Sequence, residues 1–224
     1  MKIKEIFKHC EEGKLYFMSD LHYNHFNVLA MDKRDFDSIE KMNSYIVEEL
    51  KTKLKPNDVL FDLGDLFWSC DIKTCEDVLN SIPTENRYKL MGNHDKPEIY
   101  MNRAGNSIYK HFKGIADIMD IKVEYNKTLY RVALSHYPIL DFNHMYGGGL
   151  HLFGHTHGHL DNWLQRTPRL MVDVGFSANL SKNYGSFLIP FDYIVDYFLK
   201  KTDGLKFTKW ANEKYHEPEF WNAK

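Results

Sequence analysis

Short apolar runs that end in polar residues recur along this chain, and stretches of helical spacing separate them. Runs of this length bounded by turn-forming residues are typical of buried strands. Strands that alternate with helical segments indicate an α/β fold of layered sheets and helices. The predicted strands lie in LYFMSD, DVLFDLGD, RYKLMGNHD, YRVALSH, LHLFGHTH and RLMVDVG, with further strands in KVEY and GSFLIPF.

The segment between the first two runs has the apolar spacing of one helix face. The residues that repeat at this spacing are Ile39, Met42, Ile46, Leu50 and Leu54. Asp37 and Glu40 resemble a capping box at the start of this helix. The pattern also predicts a second helix in DIKTCEDVLNSI and shorter helices within 97–118.

No internal repeat, low-complexity tract or linker rich in Pro, Gly or Ser divides the 224 residues. We therefore expect one domain over 1–224, in which 193–224 form a C-terminal helical or irregular extension. The three glycines at 147–149 predict a local hinge or a tight loop rather than a domain boundary.

Charge and cysteine content narrow the range of functions. The formal net charge of -2 gives no basic field for binding long duplex nucleic acid, but it leaves small anionic substrates open. Three cysteines without a C-x-x-C pair argue against a disulfide framework and a cysteine zinc site. With no signal-like or membrane-spanning apolar run, we expect a cytoplasmic protein without membrane contact.

Each predicted strand ends in residues that can bind a metal ion. In open α/β sheets, ligands bind beyond the carboxyl ends of the strands. A single Asp-x-His or Gly-Asp is commonplace, but chance rarely places five such motifs at strand ends in one chain. Glycines 64, 92 and 154 stand beside these motifs and allow close approach of the backbone. The candidates are Asp20, His22, Asp65, Asn93, His94, Asp95, His136, His155 and His157.

The stretch GLHLFGHTHGHL places four histidines at alternating positions, 151, 155, 157 and 159. In a plain strand, side chains two residues apart share one face, so all four could converge on one point or line a solvated edge. The alternation alone does not decide which of them bind metal.

The ordered motifs SDLHYNH, LGD, GNHD, SHYP and GHTHGH resemble the signature of the calcineurin-like metallophosphoesterases, over roughly residues 15–192. The resemblance implies an α/β fold built as a two-sheet β-sandwich flanked by helices, a four-layer αββα arrangement with mixed sheets. It also implies two divalent or trivalent metal ions. Mixed imidazole and oxygen ligation suits Mn, Fe, Zn or Ni better than Mg.

The resemblance assigns the ligands in two groups that share one bridging carboxylate, Asp65. The first metal would be held by Asp20, His22, Asp65 and His157. The second would be held by Asp65, Asn93, His136 and His155. On the family pattern, His155 and His157 each go to a different metal.

The resemblance further implies a dinuclear hydrolase mechanism. A hydroxide that bridges both ions attacks phosphorus in line, so no protein nucleophile is needed. His94 resembles the family histidine that assists the leaving group. Asp95 could orient the local loop or act as a turn-capping aspartate, and the sequence does not separate these roles.

The sequence departs from the protein phosphatases of this superfamily at two positions. Trp68 stands where they carry the aspartate that orients the catalytic histidine, and Met91 stands where they carry an arginine that grips phosphate. These losses argue against protein phosphatase activity. Trp68 and Tyr137 could either form an aromatic rim that stacks on a base or belong to the core, whereas we expect Phe26 and Phe67 in the core.

Other polar residues near the motifs could contact substrate. His25 and Asn24 follow the ligand His22 within DLHYNH and are candidates for substrate binding. His159 is expected to surround the ligands or face solvent, and His151 to face a neighbouring strand or support the site. The remaining histidines have no motif context and are expected in solvent: His9, His111, His144 and His216.

The favoured function is hydrolysis of a phosphodiester or of a small monoester, including nucleotides, by a monomer or homodimer. One alternative is a nuclease that cleaves short DNA or RNA, although a chain of this size has little room for added nucleic-acid-binding segments. Another is a non-enzymatic scaffold with the same fold. Scaffolds tend to lose ligands or the catalytic histidine, and this sequence retains them.

Overall fold

Two five-stranded sheets form the centre of the molecule. The computed structural model describes residues 2–100 and 107–215. One sheet has the strand order β1-β6-β7-β8-β9 and the other β10-β2-β3-β4-β5. The strands are β1 (Lys2–Lys8), β2 (Leu15–Met18), β3 (Val59–Asp62), β4 (Asn86–Leu90), β5 (Gly114–Ala116), β6 (Ile118–Tyr125), β7 (Thr128–Ser135), β8 (Leu150–Phe153), β9 (Met171–Asp173) and β10 (Ile189–Pro190).

Both sheets are mixed. In the first, β6 and β7 are antiparallel, while β7, β8 and β9 are parallel to one another. In the second, β2, β3, β4 and β5 are parallel and β10 pairs antiparallel with β2. Parallel neighbours bring their carboxyl ends to the same edge of a sheet, so the polar residues after β2, β3 and β4, and those after β7 and β8, can meet.

Helices connect and cover the strands. They are α1 (Val28–Met31), α2 (Ile39–Lys53), α3 (Ile72–Ser81), α4 (Pro97–Tyr100), α5 (Asp161–Arg166), α6 (Asn179–Tyr184), α7 (Phe191–Lys201) and α8 (Phe207–Lys214), with 3-10 turns at Tyr109–His111 and Met145–Gly147. The α5 and α6 helices contact β9, and α7 contacts β2 and β10. No helix in 2–100 or 107–215 has the length and hydropathy of a membrane-spanning segment.

Apolar residues from both sheets fill the space between them. Phe17 and Phe61 of the second sheet share one buried cluster with Ile121, Leu152 and Met171 of the first. The rings of Phe17 and Phe61 stack with centroids 5.2 Å apart. This shared core confirms the predicted α/β fold, a two-sheet β-sandwich flanked by helices.

A second apolar cluster lies under α2 and α3, on the other face of the second sheet. Met42, Ile46 and Leu50 of α2 are fully buried there, as their helical spacing predicts. The predicted cap was wrong by one residue. Ser38 has extended backbone angles, and its hydroxyl accepts the N–H of Lys41, so the helix begins at Ile39.

The C-terminal part continues as helix beyond the predicted boundary at 193, which falls within α7. Phe191, Ile194 and Phe198 of α7 are fully buried in the core between the sheets. Trp210 of α8 belongs to the same cluster. Residues 216–224 of the predicted extension lie outside the described residues.

Two of the four histidines expected in solvent lie in the interior. His9 is buried, and its Nδ1 accepts the N–H of Leu15 at 3.0 Å. The side chain of His111 is 8% exposed, beside Glu76. Both predictions were wrong because tertiary packing, which no local motif signals, covers these side chains. His144 is exposed, and His216 lies outside the described residues.

Candidate metal centre

The carboxyl ends of five strands, two in one sheet and three in the other, meet at one place. His136 follows β7 directly, and His155 comes two residues after β8. From the second sheet, Asp20 follows β2, Asp65 follows β3 and Asn93 follows β4. The structure thus brings together residues more than 130 positions apart, and His22 and His157 join them.

Five of these residues have the left-handed backbone conformation that residues other than glycine rarely adopt. The φ angles are 56° at Asp20, 51° at His22, 56° at Asp65, 67° at His155 and 49° at His157. Each such residue costs about 1–3 kcal/mol and persists where the surroundings fix it, commonly at functional sites. The stretch GLHLFGHTHGHL is therefore not one continuous strand. The β8 strand stops at Phe153, and His155, His157 and His159 lie in the turns that follow it.

The first group of facing ligand atoms comes from Asp20, His22 and His157. The Nε2 atoms of His22 and His157 are 3.2 Å apart. Asp20 Oδ1 lies 3.4 Å from Nε2 of His157 and 4.0 Å from Nε2 of His22. Asp20 Oδ1 is buried and has no hydrogen-bond partner among the described residues, so this group offers a cation three electron-pair donors.

The second group surrounds His136. It is formed by Asp20, Asp65 and His136, and Asp65 Oδ2 is 3.4 Å from Nε2 of His136. Asn93 Oδ1 lies 3.0 Å from that Nε2 and 2.9 Å from Nδ1 of His155. All seven predicted ligands therefore fall within one site.

The geometry and the family pattern differ in which aspartate is shared by the two groups of ligand atoms. Asp20 is common to both groups of facing atoms. Asp65, for which the resemblance implies bridging, also faces both, since its Oδ2 is 3.9 Å from Nε2 of His22 and 3.4 Å from Nε2 of His136. The bridging role of Asp65 stays a prediction.

The protein itself makes Asp65 anionic and His22 neutral. Burial alone would raise the pKa of Asp65, but the hydrogen bond and charge of His136 outweigh burial and hold this pKa well below its usual range. Burial lowers the pKa of His22 to about 4, against the opposing effect of Asp20 and Asp65. A carboxylate anion and a neutral imidazole are the forms that bind metal ions.

Two glycines allow the strand ends to approach one another. Gly64 has φ +117°, and a Cβ there would overlap the ring of His136. A Cβ at Gly154 would overlap Ser19 and the carboxylate of Asp20. Both positions therefore require glycine, as the sequence predicts, and any larger residue would displace a predicted ligand.

Asp32 is a supporting residue that the sequence did not reveal. Its Oδ2 accepts Nδ1–H of His157 at 2.6 Å, the hydroxyl of Ser177 at 2.6 Å and a guanidinium N–H of Arg34 at 3.1 Å. Arg34 also donates to the backbone oxygens of Asp20 and Leu21, at 2.8 Å each. Asp32 and Arg34 together fix a metal-facing imidazole and the loop that carries Asp20.

Asp95, which the sequence left between two roles, orients both neighbouring loops. Its Oδ2 accepts the N–H of Asp65 at 2.9 Å and that of Gly92 at 2.8 Å. Lys89 is fully buried, and its Nζ lies 2.8 Å from Oδ2 of Asp95 and 2.8 Å from Oδ2 of Asp62. Burial raises the pKa of Asp62 to about 6 even though Lys89 opposes the shift.

His94 lies at the open side of the site with its side chain 39% exposed. Its backbone N–H donates to Asp65 Oδ1 at 2.9 Å, and its Nε2 is 4.0 Å from Asp65 Oδ2. The ring centroid of Trp68 is 4.5 Å from that of His94 and 3.6 Å from that of His25. Trp68 therefore lies within the site rather than in the core alone.

The other candidate substrate contacts lie at the surface around the ligands. Tyr137 is 48% exposed, and its ring centroid is 4.5 Å from that of His155. Asn24 is exposed, with φ 70°, and its N–H donates to Asn43. His159 is exposed to solvent beyond the ligand turn.

His151 supports the site from within β8. It is fully buried, and its Nε2 accepts the N–H of Ile139 at 3.0 Å while its Nδ1 lies 3.1 Å from the oxygen of Ala133. The contact with Ile139 holds the loop that follows His136. His151 thus faces a neighbouring strand, one of the two places expected for it.

The prediction for Phe26 was wrong. Phe26 was expected in the core, but its side chain is 68% exposed, whereas Phe67 is buried as predicted. The reason is the turn before α1, which directs Val28 inward and leaves Phe26 outside.

Comparison with known proteins places this architecture in a family. The chain is 28% identical over 158 residues to an uncharacterized protein of Methanocaldococcus jannaschii. The aligned region covers 70% of this chain and 77% of that protein. A crystal structure of a protein of unknown function from Aquifex aeolicus has the same fold, with a TM-score of 0.57, 23% identity and coverage of 83% of this chain and 99% of that chain. The sequence model named calcineurin-like phosphoesterase matches residues 13–201. The chain therefore belongs to the calcineurin-like phosphoesterase family.

Proposed function

We propose that this protein is a hydrolase that uses two bound divalent metal ions to cleave a phosphodiester or a small, nucleotide-like phosphomonoester. The observation that carries the proposal is the meeting of two groups of carboxylate and imidazole donors at the strand ends. Carboxylate and imidazole together suit Mn, Fe, Zn or Ni. Such a pair of ions would supply an activated water and neutralise charge on the phosphoryl oxygens.

The residues of this chain would share the remaining tasks. Asp20, His22 and His157 would hold one ion, and His136, Asn93 and His155 would hold the other beside Asp65. Nε2 of His94 lies 4.0 Å from Asp65, on the open side of the site, where it can reach a leaving-group oxygen and donate a proton to it.

The surroundings favour a singly charged diester over a phosphoprotein. Within the described part of the chain, Arg34 contacts residues of the site. It is buried and donates to Asp20, Leu21 and Asp32, so it is directed at the protein rather than at a bound phosphate. Met91 stands where protein phosphatases of the family carry an arginine. A dianionic monoester would thus depend on the metal ions for most of its neutralisation.

The proposal is tested with metal-free protein reconstituted with Mn, Ni, Zn or Mg. We expect metal-dependent release of p-nitrophenol from bis-p-nitrophenyl phosphate, faster than from p-nitrophenyl phosphate. Asp65→Asn and His94→Ala should each lower kcat/KM by about 100-fold or more, because one removes a metal-facing charge and the other a proton donor.

Matched controls use residues of the same type away from the site. Asp77→Asn alters an exposed carboxylate on α3, and His144→Ala alters an exposed histidine; both should retain wild-type rates. Full activity in Asp65→Asn and His94→Ala, or no hydrolysis of any phosphoester with any of the metals, would contradict the proposal. Cleavage of short single-stranded oligonucleotides alone would favour the nuclease alternative.

A further inference from the structure

His25 and Trp68 form a stacked pair, and the Trp68 ring also packs against the ring of His94. We propose that this pair positions the His94 ring for proton donation and replaces the orienting aspartate of the related protein phosphatases. The proposal rests on the proposed function, because it assigns His94 a role at the leaving group. It makes His25 and Trp68 positioning residues rather than a platform for a substrate base.

The backbone fixes where the pair stands. The N–H of His22 donates to the oxygen of Asp65 at 3.0 Å, and the N–H of Tyr23 donates to the oxygen of Leu66 at 2.9 Å. The N–H of Trp68 then donates back to the oxygen of Tyr23 at 2.9 Å. These bonds join the loop after β2 to the loop after β3 as a short parallel ladder, which holds His25 and Trp68 beside the ligands that the two loops carry.

The stack itself is close and nearly coplanar. The ring centroids of His25 and Trp68 are 3.6 Å apart, and their planes differ by 4°. His25 is 7% exposed, and its N–H donates to the oxygen of His22 at 2.9 Å. Because His25 covers one face of the indole, that face cannot stack on a nucleobase.

The indole also contacts His94. The centroid of the Trp68 ring is 4.5 Å from that of His94, and the two planes are tilted by 56°, so the rings are in van der Waals contact. Nε2 of His94 is 4.0 Å from Asp65 Oδ2, which is too far for a hydrogen bond. Two rings pack against His94, Trp68 at 4.5 Å and His22 at 5.5 Å between centroids, and the nearer of these, Trp68, restricts its rotation more.

Loss of Trp68 should therefore slow the departure of the leaving group. Without Trp68, the His94 ring gains freedom and spends less time directed at the leaving group. A misplacement of about 1 Å can cost about 100-fold in rate. The loss should appear only where departure of the leaving group needs a proton.

The experiment compares two esters that differ only in leaving group, methyl p-nitrophenyl phosphate and methyl phenyl phosphate, with Mn-reconstituted protein. Phenolate is the more basic leaving group and depends more on protonation. We expect Trp68→Ala to lower kcat for the phenyl ester by about 10- to 100-fold and for the p-nitrophenyl ester by less than about threefold. Trp68→Phe, which restores an aromatic ring, should recover most of the loss, and His25→Ala should cause a smaller selective loss.

Two readouts independent of turnover accompany the rates. Metal content per chain should be unchanged in Trp68→Ala, and the ¹H–¹³C signal of the His94 ring should lose its ring-current shift in Trp68→Ala and retain part of it in Trp68→Phe. Phe26→Ala, one residue after His25 and exposed, is the matched control and should behave as wild type. Equal losses on both esters, no loss on either, or an unchanged His94 signal overturns the positioning role. A wild-type protein that cleaves neither these esters nor any other phosphoester with any of the metals overturns the proposed function together with it.

Discussion

At the scale of single residues, the centre depends on which nitrogen of each imidazole faces inward. Nδ1 of His157 lies 2.6 Å from Asp32 Oδ2, while Nε2 lies 3.4 Å from Asp20 Oδ1. An ionised carboxylate only accepts hydrogen bonds, so Nδ1 keeps a proton directed at Asp32, and Nε2 is the nitrogen that a metal ion would bind in place of a proton. Asp32 thereby selects the form of His157 that can bind a metal ion.

We therefore predict that loss of Asp32 weakens metal binding without removing a ligand. Asp32→Ala should raise the dissociation constant for Mn by about 10- to 100-fold, the range typical of lost support behind a ligating histidine. Competition with a fluorescent chelator measures this constant without a turnover assay. Asp35→Ala, which changes an exposed aspartate three residues later, is the control. An unaltered Mn affinity in Asp32→Ala would show that His157 needs no such support.

At the scale of elements, a buried ion network holds the loops after β3 and β4 together. Lys89 lies between Asp62 and Asp95, and Asp95 in turn accepts the N–H groups of Asp65 and Gly92. Burial alone would lower the pKa of Lys89, but the two carboxylates outweigh burial and raise it. The lysine therefore stays charged and balances carboxylates that could not otherwise both be ionised in the interior.

Removal of this cation should destabilise the whole domain. Lys89→Met keeps most of the side-chain volume but leaves Asp62 and Asp95 without their buried counterion. Breaking such a pair typically costs about 3–5 kcal/mol of the free energy of unfolding, which urea denaturation measures. Lys73→Met removes an exposed ion pair with Asp77 and should cost less than about 1 kcal/mol.

A second variant separates lost charge balance from lost packing. In Asp62→Asn/Lys89→Met, one of the two carboxylates is also neutralised, so part of the lost stability should return. If Lys89→Met alone unfolds within about 1 kcal/mol of wild type, the network does not stabilise the loops.

The sequence predicts these elements well where local pattern decides, and less well where distant packing decides. The ends of β2, β3 and β8 could be predicted because apolar runs stop at Asp20, Asp65 and His155 beside turn residues. Asp32 could not be found, because it follows the four-residue helix α1 rather than a strand and meets His157 only in the folded chain. Lys89 gave no signal, because a single lysine inside an apolar run is also common on solvated strands.

Backbone strain was equally beyond sequence reasoning. Aspartate and histidine adopt a left-handed φ more often than most residues other than glycine, but they do so at few positions, and the turns that impose it at Asp20 and His157 follow from the meeting of two sheets. The same limit explains Trp68. The sequence showed that it replaces an aspartate, but only the fold shows that His25 covers one of its faces.

At the scale of the whole molecule, the centre joins the two sheets. Asp20, Asp65 and Asn93 follow strands of one sheet, whereas His136 and His155 follow strands of the other. His151 strengthens this junction from inside, since it connects β8 to β7 and to the loop after His136. Burial lowers the pKa of His151 to about 4, although its backbone hydrogen bonds oppose the shift.

This buried neutral histidine should make the stability of the fold sensitive to mild acid. In the unfolded chain His151 takes up a proton near pH 6.5, whereas in the folded chain it does so only near pH 4, so stability falls as pH drops below about 6.5. For these two pKa values the loss between pH 7 and pH 5 is about 2 kcal/mol. His151→Gln, which cannot take up a proton, should lose about that much less over the same interval in metal-free protein.

The difference between wild type and His151→Gln isolates this group from the other titrating residues. Burial also lowers the pKa of His22, so this residue lowers the stability of the fold in the same pH window. His22 is present in both proteins, and its effect cancels in the difference. For His157, burial would lower the pKa, but Asp20 and Asp32 raise it to about 10, so its contribution is complete below pH 6.5 and does not change between pH 6.5 and 5. Urea denaturation at pH 7, 6 and 5 therefore gives the His151 effect by subtraction, and parallel losses in the two proteins would show that His151 stays neutral in the unfolded chain or is charged in both states.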